Sequence, residues 1–219
     1  MSLTASMLRT SPVPRATPYP VHRIETTRLR DGTALTIRPI SRCDLRLERA
    51  FVAALSPQTR YQRLLSGRKL QPGELRRLTD IDYGHELALV ASATIGGRER
   101  LLGEARYVRD VTHGDGAESG IVAEFAIVID DRWQGHGLGE MLLRRLVRAA
   151  AEEGIDVLSG ITLSDNHRMI ALGRKLEFRA RRDPGYPSVT ELRRELGDAR
   201  AAPSHVVSAV EDALSWAAM

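Results

Sequence analysis

Residues 124–139, EFAIVIDDRWQGHGLG, limit what this chain can fold into more than any other stretch. An apolar run holding one acid leads through a short polar turn to glycines at 135, 137 and 139. Behind them Leu138, Leu142, Leu146 and Ala149 recur at helical spacing. That order predicts a strand, a tight loop and a helix start. The first turn of a helix leaves N–H groups without partners, and its dipole favours negative charge, so a glycine-rich loop there is an anion cradle.

Two nucleotide fingerprints fail on this loop. A G-x-G-x-x-G reading from Gly135 finds Gly137 but meets Glu140 at its third position. A P-loop needs Gly-Lys-Ser/Thr, and none follows. What remains is Gln134-x-x-Gly137-x-Gly139 between a strand and a long helix.

The rest of the chain supplies the frame. Residues 34–40 read as a strand, Ser41 and Asp44 have capping-box spacing, and a helix follows to Leu55. Ser56-Pro57 opens a second helix to about residue 65, and Pro72 a third through Leu78. Residues 86–93 and 101–108 read as strands joined by a turn at Gly96-Gly97. A polar hairpin loop spans 110–120, and strand 121–129 follows. Gly154 ends the long helix, residues 157–163 form a strand, and Asn166 stands where an N-cap opens a helix with apolar face Met169, Leu172 and Leu176. A last strand is expected at 189–192. Hairpins followed by strand–helix–strand predict an α+β fold with a mixed, mostly antiparallel sheet flanked by helices. Four prolines between 12 and 20 mark residues 1–30 as a flexible arm. Residues 31–196 form the folded domain, and 197–219 a tail whose helix would cover a sheet edge or join a homodimer.

Composition narrows the function. Hydrophobic residues at 42% support a real core, and no apolar run approaches the ~20 residues that span a bilayer. Cys43 is the only cysteine, which excludes an internal disulfide and fits the reducing cytoplasm. The net charge of +4 is nearly all arginine, interleaved with acids, with Lys69 and Lys175 the only lysines. With aromatics at 5% there is no basic tract of the kind that binds nucleic acid. No histidine pair has metal-ligand spacing, so no metal is expected.

The pattern Gln134-x-x-Gly137-x-Gly139 resembles motif A of the GNAT superfamily of N-acetyltransferases. Residues 56–66 (SPQTRYQRLLS), 81–91 (IDYGHELALVA), 123–147 and 166–178 (NHRMIALGRKLEF) are similar to one branch, the bacterial protein lysine acetyltransferases that modify acyl-CoA synthetases. The resemblance implies the GNAT fold, with a splayed parallel strand pair that binds acetyl-CoA. It implies a pyrophosphate held by Gln134 and by the N–H groups of Gly135, His136, Gly137, Leu138, Gly139 and Glu140. It places the pantetheine arm along the strand edge at Ile127, Val128 and Ile129, with Asn166 in contact. On residue type alone Asn166 is equally a plain N-cap, and Arg174 and Lys175 face either adenosine phosphates or solvent.

Amine acetylation needs a neutral amine, and a lysine with pKa ~10.4 is neutral about one part in 2,500 at pH 7. That corresponds to roughly 4.6 kcal/mol, which a base that takes the proton can offset. The resemblance assigns Glu124 as this general base, and Phe125 and Ala126 are expected to desolvate it and raise its pKa. The alternative for Glu124 is a strand residue facing solvent. The expected reaction is direct transfer of acetyl to a protein lysine ε-amine on an acyl-CoA synthetase-like target. Alternatives are a small-molecule amine acetyltransferase and a non-catalytic acetyl-CoA-binding regulator. Two positions depart from the family pattern: Gly173 replaces the tyrosine that protonates the leaving thiolate, and Glu177 stands before Phe178 where the family has glycine.

Overall fold

The structure is a computed structural model and describes residues 17–64, 71–109 and 120–197. In chain order its elements are β1 (Glu25–Arg28), β2 (Ala34–Pro39), α1 (Leu45–Ala54), α2 (Pro57–Leu64), α3 (Pro72–Thr79), β3 (Glu86–Ile95), β4 (Arg98–Arg109), β5 (Val122–Ile129), α4 (Leu138–Glu152), β6 (Val157–Leu163), α5 (His167–Lys175), β7 (Arg179–Arg182) and β8 (Val189–Glu195). The strands form one eight-stranded sheet in the order β1-β2-β3-β4-β5-β6-β8-β7. Neighbours run antiparallel except β5 and β6, which are parallel.

The two faces of the sheet carry different covers. On one, the apolar stripe of α4 buries Leu138, Leu142, Leu143 and Leu146 against Leu89, Leu102, Ala105 and Phe125. Each fully buried leucine contributes roughly 1.5–3 kcal/mol. On the other, Phe51 of α1 and the following Leu55 pack on Ala88, Val90, Leu101 and Val128. Local chemistry sets the element ends. Ser56 Oγ accepts the Thr59 N–H at 3.1 Å, capping α2. Gly96 and Gly97 take φ of 57° and 74°, as a tight hairpin turn requires.

Two short strands were not legible as strands. Residues 25–28 fall in the stretch expected to be a flexible arm, yet β1 pairs with β2 from Glu25↔Ile37 to Arg28↔Ala34. Its sequence, ETTR, has no apolar alternation. It is an edge strand tied down by ladder bonds and by Glu25, which ion-pairs Arg145 and Arg148. β7, RARR, pairs with β8 in the same way. The arm up to residue 16, the loop at 110–119 and the tail from residue 198 lie outside the described residues.

A β-bulge decides which side chains reach the site. The β3–β4 register shifts between Ala91 and Ser92, so Ala91 faces Gly103 while Ser92 faces Leu101. Leu102 belongs to the α4 core, and a Cβ on Gly103 would also meet Leu142, 3.1 Å away. Two successive residues thus face α4, and the alternation of β4 is inverted beyond them. Without the bulge, Glu104 and Arg106 would point into the α4 core; with it they lie on the α1–α3 face.

α5 ends in a Schellman motif. The Glu177 N–H donates to Arg174 O at 3.0 Å and the Phe178 N–H to Gly173 O at 2.9 Å. Glu177 is the C′ residue and holds φ 65°, the one positive φ outside glycine among the described residues. A side chain in this conformation costs about 1–2 kcal/mol. Its ion pair with Arg194 at 2.7 Å is exposed and returns less than that. Glu177→Gly is therefore expected to raise unfolding stability by about 0.5–1 kcal/mol, after the added flexibility of the unfolded glycine is subtracted. Urea midpoints of the two proteins check this; a lower midpoint for the variant contradicts it.

Candidate active site

The parallel pair comes apart partway along. β5 and β6 are in register at Val122↔Val157, Ala123↔Leu158 and Glu124↔Ser159, and no further pairing follows although both strands continue. Gly160 sits at the parting point. A Cβ there would lie 2.6 Å from Phe125 O and 2.8 Å from its ring, so only glycine lets the two strands lie this close. Beyond it, the β5 edge from Phe125 to Ile129 faces a gap. Ile127 and Ile129 turn their side chains to the α4–α5 side and Val128 to the α1 side, which leaves backbone to line the gap.

The glycine loop closes the far end of this gap. Gly135 and Gly137 hold φ of 81° and 85°, and a Cβ on either would meet nothing within 4 Å. The residues are glycine for conformation, and the concave side stays open. Among the described residues no acceptor faces the N–H groups of Gly135, His136, Gly137, Leu138, Gly139 or Glu140. Gly139 packs on Leu172, where a Cβ would sit at 3.4 Å, which seats the start of α4 close to α5. Gln134 braces the loop: its amide donates to Thr59 Oγ1 at 3.3 Å and Ile129 O at 3.2 Å, and its oxygen accepts from Arg168 at 3.3 Å. The Glu140 carboxylate is turned along the surface to Arg144 and Lys175. Lys175 is thereby occupied, while Arg174 is exposed.

Sequence reasoning missed the bracket that carries α2 over the gap. Asp131 accepts from Ser56 N at 2.9 Å, Ser56 Oγ at 2.8 Å and Thr59 Oγ1 at 2.6 Å. The signal was present in SPQT and in the second Asp of DDRW, but only tertiary folding joins them.

Glu124 occupies the last paired rung, where the strands part. It is exposed, and this corrects the expected desolvation. Strand alternation places Phe125 on the opposite face, inside the α4 core, and Ala126 is too small to shield a carboxylate. The face that Glu124 shares is nonetheless rich in charge. Glu48 of α1 is 1% exposed, and Glu104 and Arg106 are 3% and 8% exposed. Arg106 Nε donates to Glu104 Oε1 at 2.5 Å and its Nη2 to Leu78 O at 2.8 Å. Glu86 lies beside them, its carboxyl pushed up by burial.

Asn166 is the N-cap of α5: its oxygen accepts the Met169 N–H at 3.2 Å, and its amide donates to Thr162 Oγ1 at 3.1 Å. The second amide hydrogen has no hydrogen-bond partner among the described residues. Gly173 packs on β8, where a Cβ would lie 3.0 Å from Leu192. Neither Tyr83 nor Tyr107 takes the place of the tyrosine absent at Gly173. Tyr83 donates its hydroxyl to Ile40 O at 2.6 Å, and burial pushes its pKa up to about 12. Tyr107 is 3% exposed within the core, and burial raises its pKa as well.

Glu48 has a measurable signature. Burial, then the neighbouring Glu104 carboxylate, push its pKa well above the usual carboxylate range. The unfolded chain gives up this proton near pH 4.3, whereas the folded chain keeps it to higher pH. The folded state then binds more protons, so stability is full below about pH 4.3 and falls as pH rises towards the folded pKa. Glu48→Gln removes the titration. In urea denaturation between pH 5 and 8 the variant is expected to gain on the wild type, at up to about 1.4 kcal/mol per pH unit. Parallel curves contradict the assignment.

Comparison with known proteins gives a consistent picture. The family model described as "Acetyltransferase (GNAT) family" matches residues 57–178. The chain is 34% identical over 157 residues to acetyltransferase PA5475 of Pseudomonas aeruginosa, covering 71% of this chain and 81% of that protein. It is 28% identical over 153 residues to acetyltransferase Pat of Mycolicibacterium smegmatis, and spans 42% of that longer protein. The crystal structure of the GNAT domain of S. lividans PAT superposes with a TM-score of 0.72 at 27% identity, over 82% of this chain and all of that domain.

Proposed function

The chain belongs to the acetyltransferase (GNAT) family and is an acetyl-CoA-dependent acetyltransferase; from that premise we propose that it moves acetyl directly to the ε-amine of a protein lysine, with Glu124 as general base. One juxtaposition carries the reading. A parted strand pair runs from an unpaired N–H cradle at residues 135–140 to a carboxylate at the last paired rung.

The steps follow from that layout. The N–H groups of Gly135 to Glu140 take the pyrophosphate, in a loop braced by Gln134. The backbone edge at Ile127, Val128 and Ile129 pairs with the amides of the pantetheine arm as another strand would, and Asn166 offers its remaining N–H. Three residues separate Ile127 from Glu124, about 10 Å along a strand, so the arm brings the thioester towards the carboxylate. The amine nitrogen attacks the thioester carbon, and a β5 N–H facing the gap stabilises the oxyanion. Glu124, directly or through a water, takes the amine proton as the C–N bond forms. The C–S bond then breaks. With its proton gone the nitrogen could leave only as an amide anion, far more basic than a thiolate, so it is the sulfur that departs, and a thiol with pKa near 8.5 can leave as the thiolate without the tyrosine absent at Gly173.

The resemblance of residues 56–66, 81–91, 123–147 and 166–178 to bacterial protein lysine acetyltransferases supports a protein acceptor, and an acyl-CoA synthetase-like protein is the proposed target. The single cysteine fits a cytoplasmic setting. Incubation with labelled acetyl-CoA and a cell lysate tests the acceptor class. Label on protein lysines is the expected result. Label confined to small amines makes this a small-molecule acetyltransferase, and tight acetyl-CoA binding without turnover makes it a regulator.

A further inference from the structure

A row of side chains crosses the sheet from Glu124 to its outer edge. Register pairs Glu124 with Ser159 on β6, Ser159 with Arg193 on β8, and Arg193 with Arg179 on β7. Partners in register share a face, so all four lie on the side opposite α4. Leu158 and Leu192, which alternate with them, belong to the α4 core, as that placement requires. The neighbouring row on the same face is Ile161, Glu191 and Arg181. β7 is the last strand of the sheet, and Arg179 and Arg181 are both exposed. On this face α2 reaches β6, whereas α5 packs on β7 from the other side.

Positive charge dominates the outer part of these rows. Arg179 and Arg193 stand directly opposite each other, and like charges so placed, with Cβ atoms about 5 Å apart, are destabilising. Glu191 beside them is buried, and burial pushes its carboxyl up, which weakens it as a counter-ion. Arg179 meets Glu195 only at 3.9 Å with its side chain 86% exposed, a pair that contributes little. Arg193 has a further interaction within the chain, which leaves Arg179 and Arg181 as the charges open to a partner. At about 4.8 Å per strand, Arg179 lies about 14 Å from Glu124, the span of about four extended residues. A segment whose lysine reaches Glu124 therefore lays its neighbouring residues over β8 and β7. Given transfer to a protein lysine, as proposed above, we infer that Arg179 and Arg181 select acceptor segments carrying aspartate or glutamate about two to four residues from the target lysine. They determine specificity by meeting the acceptor's acidic flank and do not touch the reacting atoms.

The test reads the sequence around each modified lysine. A cell lysate is incubated with labelled acetyl-CoA and the wild type, the double variant Arg179→Glu with Arg181→Glu, or the double variant Arg179→Lys with Arg181→Lys. Labelled lysines are mapped by mass spectrometry, after subtraction of lysate without enzyme. The wild type is expected to favour lysines with an acidic flank, by up to about fivefold for each arginine at low salt and less as salt rises. The charge-reversed variant should lose that preference and turn to lysines flanked by basic residues, while its affinity for acetyl-CoA holds. The lysine variant should keep the wild-type preference. Charged side chains also guard an edge strand against pairing with another chain. Arginines with that role alone would change aggregation and leave the choice of lysines as it was. Modified lysines without an acidic bias, or the same bias in the charge-reversed variant, overturn the inference and leave transfer to protein lysines standing. Label on no protein lysine removes the proposed function, and the inference with it.

Discussion

Glu124→Gln is expected to lower kcat for acetyl transfer by about 10²–10⁴-fold at pH 7, the range that removing a general base commands. The substitution keeps the shape of the side chain, and Glu124 lies at the last rung of the β5–β6 ladder, at the opposite end of the gap from the cradle. The KM for acetyl-CoA should therefore hold. The pH dependence gives the sharper signature. Without the base, the rate follows the fraction of acceptor that is already neutral, so it should climb tenfold per pH unit towards the lysine pKa near 10.4. The gap to the wild type then narrows as pH rises. Steady-state rates from pH 6 to 10 check this; equal rates at pH 7 remove Glu124 from the mechanism.

The second large effect belongs to the cradle. Gly137 holds φ 85° as the residue before α4, and a valine there is expected to abandon that conformation. Nothing lies within 4 Å of where its Cβ would be, so the fold should lose little beyond the local strain of about 1–2 kcal/mol. Binding suffers more. Turning the 137–139 backbone withdraws two or more N–H donors from the pyrophosphate, each worth about 1.5–3 kcal/mol to a charged acceptor. That predicts an acetyl-CoA Kd weaker by roughly two to four orders of magnitude. Calorimetric titration checks it. A Kd within threefold of the wild type would mean that the loop does not hold the phosphates.

The sequence carried the local parts of this site and missed the joins. Residues 124–139 were legible because strand, loop and helix are adjacent in the chain, and glycine chemistry marks the loop. The caps at Ser56 and Asn166 and the stop at Gly154 follow from side chains next to the backbone they serve. β1 and β7 were illegible because ETTR and RARR hold their places by ladder bonds and ion pairs, and apolar alternation does not record those. The bulge at Leu102 was hidden for a related reason: LLGEARYV alternates acceptably in either register. Its partner strand alone decides that Glu104 and Arg106 leave the core for the site face. The desolvation expected of Glu124 failed on the same geometry, since a neighbour in sequence on a strand is across the sheet in space. Glu48 and Asp131 come from separate elements, and each alone reads as an ordinary surface charge.

On the proposed function, acetyl passes from acetyl-CoA to a protein lysine through this gap. Its most direct test is mass spectrometry on a purified acyl-CoA synthetase after incubation with the enzyme and acetyl-CoA, with peptide mapping of the product. Acetyl is expected on a defined lysine ε-amine of the synthetase, with Glu124→Gln failing to place it there in the same time. An unmodified synthetase, or acetyl appearing equally with wild type and variant, would contradict it.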